Sequence, residues 1–250
     1  MKRASATIRT SLLTIVSLLC LSITALAGRE VVGAWLRLND AKAVAASNRT
    51  SDLLLAAAGD WAVERGIVNA ALAGKDTAAA TTLASVKARR AKGDDAFGLA
   101  LQQIAAAPEF KDRGAIVTEV EAAQKELLEA RDLVDSALHV PREKRDGHLS
   151  AHWVSVSTNL IMRSQHLRLA SQYLPETIET NISKIQDVKS AIWTMSEFAG
   201  RERALIGQAV SSGIALDNSK LRLWLPIADA SNNPGLKSVP FFRRVTPRQR

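Results

Sequence analysis

Two stretches of the chain share one apolar spacing, and this feature most limits the possible folds. They are Leu54–Gly74 and Ile192–Gly213. With Arg65 aligned on Arg203, matched positions recur at steps of four and three residues, the spacing of one buried helix face. The matched positions are Leu54, Ala58, Trp61, Arg65, Val68 and Leu72 in the first stretch and Ile192, Ser196, Ala199, Arg203, Ile206 and Val210 in the second. We therefore expect two long helices with corresponding core faces.

The rest of the sequence also favours helices over strands. Aromatic residues make up only 4% of the chain, alanine is abundant, and Gly and Pro are sparse between Lys75 and Val210. Helices are predicted at Gly28–Ala73, from Asp76 or Thr77 to about Lys92, on to Ala107 after a break at Gly93–Asp95, from Arg113 to before Pro141, at Leu149–Leu174 and at Thr177–Ser212. Long helices with short loops predict an all-α, antiparallel bundle of the four-helix type.

Three of these helices have a clear apolar register. The third helix should bury Ile116, Val120, Ala123, Leu127, Ala130, Val134 and Ala137, and should expose a charged face that includes Arg131. The fourth helix has Leu149, Trp153, Val156, Leu160, Arg163, Leu167, Ala170 and Leu174 on its core register. The last helix is predicted to point Ile185, Val188, Ile192, Met195, Ala199, Glu202, Ile206 and Ala209 inward.

The N-terminus predicts a membrane segment. A basic segment at residues 1–10 precedes seventeen uncharged residues at 11–27. Residues 11–28 are therefore predicted to form a single transmembrane anchor, with a cleaved signal peptide as the alternative. The basic residues place the N-terminus in the cytoplasm, so residues 29–217 form an exported domain in either case.

The net charge of +8 is concentrated at the two ends of the chain. Residues 11–219 are close to neutral, which argues against a nucleic-acid-binding surface, whereas basic ends suit a membrane surface. Residues 218–250 contain several prolines and no apolar period, and are predicted to be an irregular basic tail. The single cysteine, Cys20, excludes a disulfide within one chain.

The candidate binding residues lie in the two matched stretches. Each stretch has a Glu-Arg pair on or beside its core face, and a buried guanidinium needs a carboxylate, carbonyls or a bound anion. One hypothesis is a small anion held by Arg65, Arg203 and either Arg163 or Arg201, with Glu64 and Glu202 beside it and Trp61 as a wall. The other is that the acids and arginines of the two helices form structural salt bridges.

No metal, cofactor or catalytic site is predicted. His148 and His152 are four residues apart, but two histidines without nearby acids or cysteines are an insufficient ligand set. The sequence also lacks a glycine-rich phosphate loop and a nucleophile elbow. An enzyme is therefore not expected.

Two segments carry a resemblance to a known family. WAVERGIVNAALAG at Trp61–Gly74 and EFAGRERALIGQAVSSG at Glu197–Gly213 resemble the exported helical sensor regions of bacterial chemotaxis receptors and sensor kinases. They are similar in particular to nitrate- and nitrite-sensing (NIT) domains, and the resemblance covers roughly residues 10–217. It implies a periplasmic bundle anchored in the bacterial inner membrane, with Arg65 and Arg203 as ligand contacts by motif match.

The resemblance also sets the functional expectation. It implies a homodimeric sensor that binds a small anion such as nitrate or nitrite and signals across the membrane. Such receptors continue into a second membrane helix, a HAMP linker and a signalling module, so this chain is expected to be a truncated form. The alternative is a membrane-anchored interaction or scaffold protein without a small ligand.

Overall fold

The computed structural model describes residues 8–173, 175 and 180–213, and it confirms the predicted all-α fold. No strand occurs in these residues. The helices are α1 (Ile8–Ala73), α2 (Ala80–Ala106), α3 (Arg113–Leu138), α4 (Leu149–Ala170) and α5 (Thr180–Ser212), with a short 3-10 turn at Arg142–Lys144. The predicted tail at 218–250 and most of the basic segment at 1–10 lie outside the described residues.

The chain divides into two units, at residues 1–46 and 47–250. In the first unit, residues 10–32 of α1 are all exposed, including the apolar run at 11–27. This helix is long and apolar enough to cross a membrane.

In the second unit, hydrogen bonds define the direction of each helix relative to α1. As the residue number on α1 rises, the number of the contacting residue falls on both α2 and α4. Both helices are therefore antiparallel to α1. The α2 contacts are Trp61–Asp94 and Thr50–Gln103, and the α4 contacts are Asn69–Ser150 and Ser47–Ser171. Contacts from α5 run in the same direction as α1, at Asp52–Lys189 and Arg65–Glu197. Residues 47–73 of α1 therefore contact α2, α4 and α5 and, through Glu64, also α3.

The register of α3 is confirmed. All seven of its predicted core residues are buried, from Ile116 to Ala137. The prediction for Arg131 is wrong, because this residue is buried rather than solvent-facing. Its burial follows from two carboxylates, Glu64 and Asp94, that accept its hydrogen bonds from the neighbouring helices.

The predicted break at Gly93–Asp95 is also wrong, since α2 continues through it. A Cβ on Gly93 would lie 2.7 Å from the Trp61 ring, so glycine permits the close approach of α2 to α1. The next residue, Asp94, accepts a 2.9 Å hydrogen bond from Trp61 Nε1. The ring of Trp61 packs on Phe97, with centroids 5.2 Å apart. These residues act in tertiary packing rather than as a helix stop.

The register of α4 is confirmed for Leu149, Trp153, Val156, Leu160 and Leu167, which are buried. Arg163 does not belong to this core face. Its side chain is half-exposed and donates a 2.6 Å hydrogen bond to Glu119 of α3.

The predicted register of α5 is wrong. Ile192 is 61% exposed and Met195 is 65% exposed, although both were expected inward. The buried positions are instead Gln186, Thr194 and Glu197. The reason is polar pairing. Glu197 bonds the buried Arg65, so α5 turns Gln186, Thr194 and Glu197 to the bundle and its apolar face away from it.

Arg145 connects the ends of two helices. Its guanidinium donates to carbonyl oxygens in the last turns of α1 and α3 and in the residues just after them. The acceptors are the carbonyl oxygens of Ala71, Leu72, Gly74, Asp76, Ala137 and Val140. The last carbonyls of a helix lack partners within that helix. Arg145 provides hydrogen-bond donors for such carbonyls at the C-terminal ends of both α1 and α3.

Candidate functional site

A buried charge network surrounds Glu64 of α1. Arg131 donates from Nη2 to Glu64 Oε2 at 2.6 Å and from Nε to Oε1 at 3.0 Å. Arg90 of α2 donates a further 3.0 Å bond to Oε1. Arg131 also bonds Asp94, and Arg90 bonds Asp135, so each buried charge has an opposite charge beside it.

The pKa of Arg90 reflects this pairing. Burial acts to lower the pKa, but hydrogen bonds to Asp135 and Glu64 outweigh it, and the pKa rises above the ordinary arginine value. The network is therefore electrostatically complete without a bound ion.

Arg65 also has a carboxylate. Its Nη1 and Nη2 donate to the two oxygens of Glu197 at 2.8 and 3.2 Å, and Nη1 donates to Thr158 Oγ1 at 2.9 Å. Arg201 reaches the same carboxylate from one turn away, with Nε 2.8 Å from Oε1. The arrangement is a bidentate salt bridge shared by two arginines.

The structure separates the residues that the sequence grouped into one anion site. Arg65 and Arg201 meet at Glu197, whereas Glu64 and Trp61 belong to the network with α2 and α3. Glu202 and Arg203 are exposed on α5 and make no ion pair with any residue that the structure describes, and Arg163 pairs with Glu119. Ligand binding by these residues stays a prediction, but Arg65 already has the partner that an anion would supply.

Arg168 of α4 has no such partner. Its side chain is 1% exposed, yet the groups it contacts are neutral: Nε donates to Gln165 Oε1 at 2.6 Å, and Nη2 donates to Ser190 Oγ at 3.3 Å. Its Nη1 atom has no hydrogen-bond partner among the described residues. Burial lowers the pKa of Arg168 to about 10, although the charge of Asp52 acts in the opposite direction. The guanidinium thus remains charged at neutral pH, and no carboxylate of the described residues is in hydrogen-bond contact with it.

Three other buried side-chain atoms of the described residues also lack a hydrogen-bond partner. They are Ser51 Oγ, Gln172 Nε2 and Gln186 Oε1. Gln172 is four residues after Arg168, just past the end of α4, and Gln186 is one turn before Ser190 on α5. Ser51 is one turn before Leu54, whose carbonyl accepts a 3.4 Å bond from Gln165 Nε2. Because buried polar groups normally have partners, these unsatisfied atoms on or beside α1, α4 and α5 are candidates for binding a polar species.

The sequence analysis missed Arg168. A signal was present, since Gln165 and Arg168 are three residues apart and hence share one face of α4. Arg163 was predicted instead, because it lies on the apolar register of α4.

No protein-family model matches the sequence, and comparisons with curated proteins and with solved structures find no match. The resemblance to NIT domains and chemoreceptor sensor regions therefore rests on the two quoted segments alone.

Proposed function

We propose that this protein is a membrane-anchored sensory domain that binds a small anion at Arg168. The observation that carries the proposal is a buried guanidinium to which no carboxylate in the described part of the chain is hydrogen-bonded. Arg65, Arg90 and Arg131 are each paired with acids, so Arg168 is the exception among these interior arginines. An anion would provide Arg168 with the negative charge and the further hydrogen-bond acceptors that the described residues of α1, α4 and α5 do not provide.

The chemistry of the site favours an oxyanion. Three of the unsatisfied atoms belong to donor groups: Arg168 Nη1, Gln172 Nε2 and Ser51 Oγ. Hydrogen bonds between a guanidinium and a planar oxyanion are charge-assisted and gain strength where water is excluded. Nitrate, nitrite and formate are small planar oxyanions of this kind.

Sensing follows from where the site lies. Its hydrogen bonds connect three helices, because Arg168 on α4 donates to Ser190 on α5 and to Gln165, which itself donates to the Leu54 carbonyl of α1. An anion that contacts all three would stabilise the arrangement in which they converge, and differential affinity of this kind is what shifts a conformational equilibrium. The helix α1 also contains the apolar segment that supports membrane anchoring.

The test is thermal unfolding of the full chain in detergent with nitrate, nitrite or formate, against chloride at equal ionic strength. At about a hundred times its dissociation constant, a bound anion should add about 2.7 kcal/mol to the free energy of unfolding, a clear rise in Tm. Arg168→Met should abolish the rise. Arg163→Gln on the same helix, which removes only a half-exposed ion pair, should retain it.

The pH dependence gives a second readout. Arg168 is protonated below its pKa of about 10, so the anion-induced rise in Tm should be present at neutral pH. It should weaken as the pH rises above that value, because the anion then binds only with uptake of a proton by the guanidine. A rise that Arg168→Met leaves intact would contradict the proposed site.

A second candidate function is an anchored interaction protein without a small ligand. The exposed apolar face of α5 favours it. Absence of any anion-dependent change in Tm would reject the sensory proposal in favour of this one.

A further inference from the structure

A partly exposed ion pair joins α1 to α5 beside a contact of Arg168. Asp52 Oδ1 of α1 lies 2.8 Å from Lys189 Nζ of α5, and the side chain of Asp52 is 60% exposed. Lys189 immediately precedes Ser190, whose Oγ accepts the 3.3 Å hydrogen bond from Arg168 Nη2. The ion pair and the buried contact of Arg168 therefore lie on consecutive residues of α5.

The α1 side of the ion pair is also close in sequence to the site. Asp52 is two residues before Leu54, whose carbonyl oxygen accepts a 3.4 Å hydrogen bond from Gln165 Nε2. Gln165 Oε1 in turn accepts the 2.6 Å bond from Arg168 Nε. Burial lowers the pKa of Arg168, and the negative charge of Asp52 partly opposes this effect. Asp52 thus acts on Arg168 by its charge, without a hydrogen bond between these two described residues.

We propose that Asp52 makes the Arg168 site selective for singly charged anions. This inference rests on the proposed function and specifies the class of ligand that the site takes. Arg168 and Lys189 are positive and Asp52 is negative, so this group of three side chains has a net charge of +1. A singly charged anion neutralises the group. A doubly charged anion leaves an excess negative charge beside buried side chains, where an uncompensated charge is costly.

Lys189 limits the repulsion between Asp52 and a bound anion. An ammonium group 2.8 Å from the carboxylate offsets much of the carboxylate's field at longer distances, so a singly charged anion still binds. Without Lys189, the carboxylate of Asp52 would compete with the anion for Arg168, and the net charge of the group would fall to zero. The ion pair therefore sets the balance between attraction and repulsion at the site.

The experiment compares nitrate with sulfate, using the full chain in detergent at neutral pH. Tm is followed as each anion replaces chloride at constant ionic strength, for the wild type and for Asp52→Asn. Sulfate also stabilises proteins without occupying a specific site, so each rise in Tm is taken relative to Arg168→Met. Nitrate should bind the wild type more tightly than sulfate. Because repulsion is proportional to the charge of the anion, Asp52→Asn should raise nitrate affinity several-fold and sulfate affinity by the square of that factor.

Further variants make the test specific to this ion pair. Lys189→Met should weaken nitrate binding several-fold, and the double variant with Asp52→Asn should return it close to the wild-type affinity, since the net charge is again +1. Asp60→Asn is the matched control. Asp60 is also an acid of α1 with a basic partner at 2.8 Å, but that partner is Arg89 of α2. This control should leave the affinities for both anions unchanged.

Two outcomes would overturn this inference and leave the proposed function standing, because nitrate binding that requires Arg168 would remain. One is an unchanged ratio of sulfate to nitrate affinity in Asp52→Asn. The other is an equal gain from Asp52→Asn and Asp60→Asn, which would reflect only the net charge of the protein. Tighter binding of sulfate than of nitrate by the wild type would also overturn the selectivity.

Absence of any rise in Tm that requires Arg168 is a different result. It would reject the proposed function, and this inference with it. Similar Tm values of all variants before an anion is added show that the substitutions leave the fold intact.

Discussion

The two matched stretches have the same spacing and opposite surroundings. Leu54 on α1 is 0% exposed, whereas its counterpart Ile192 on α5 is 61% exposed. The same holds along the whole alignment: Trp61 and Arg65 are buried, and their counterparts Ala199 and Arg203 are exposed. Apolar spacing thus predicts that a helix has a face to bury, but it does not say which neighbour buries it.

The polar residues explain the difference. On α1, Glu64 and Arg65 lie beside the apolar face and meet Arg131 and Glu197 in the bundle. On α5, the acid with a buried basic partner is Glu197, which lies away from the apolar row. The orientation of α5 therefore follows its ion pair, and its apolar row is left outside.

Leu54→Ala and Ile192→Ala test the comparison most strongly. Removal of a fully buried leucine side chain leaves a cavity, so Leu54→Ala should lower the free energy of unfolding by about 4 kcal/mol. Ile192→Ala should change it by less than about 0.5 kcal/mol, as an exposed substitution does. Urea unfolding below the concentration of self-association measures both. Similar losses would mean that Ile192 is buried within the monomer.

Glu64→Gln and Glu202→Gln test the matched acids. The first change removes a buried charge from beside Arg131 and Arg90, and should cost about 3 kcal/mol of unfolding free energy. The second acts on an exposed carboxylate and should be neutral in the monomer. The same urea measurement checks both, and equal effects would contradict the assigned difference in burial.

Gly93→Ala tests the comparison at Trp61. This side chain is buried against α2, whereas its counterpart Ala199 is exposed. An added Cβ would lie 2.7 Å from the Trp61 ring, so overpacking should cost about 1–3 kcal/mol. Gly98→Ala is the control on the same helix, where a Cβ meets nothing within 4 Å. It should stabilise the protein by about 0.5–1 kcal/mol, because alanine is the better helix former. Loss of stability with Gly98→Ala would show that helix propensity does not govern this segment.

Much of the fold could be predicted from the sequence. The helical class follows from composition, and the register of α3 follows from an apolar row flanked by charges on one side only. The prediction of a break at Gly93–Asp95 was wrong. Glycine and aspartate favour a helix end locally, but tertiary contacts outweigh this preference here. Here Gly93 gives Trp61 room and Asp94 accepts its hydrogen bond.

The candidate site was harder to predict. Sequence patterns identify arginines on core registers, but they do not show which arginine meets an acid after folding. Arg65 bonds Glu197, 132 residues away, whereas the partners of Arg168 in the described part of the chain are the neutral Gln165 and Ser190. That difference depends on tertiary neighbours and was visible only in the folded chain.

Arg145 has a consequence for local unfolding. Helix ends ordinarily fray independently, and their amide hydrogens exchange at unrelated rates. Because one guanidinium holds carbonyls at the ends of both α1 and α3, and Ala78 N–H donates to Leu138 O at 2.9 Å, the two ends open together or not at all. These helix termini, 65 residues apart between Ala73 and Leu138, thus form one cooperative unit of hydrogen exchange.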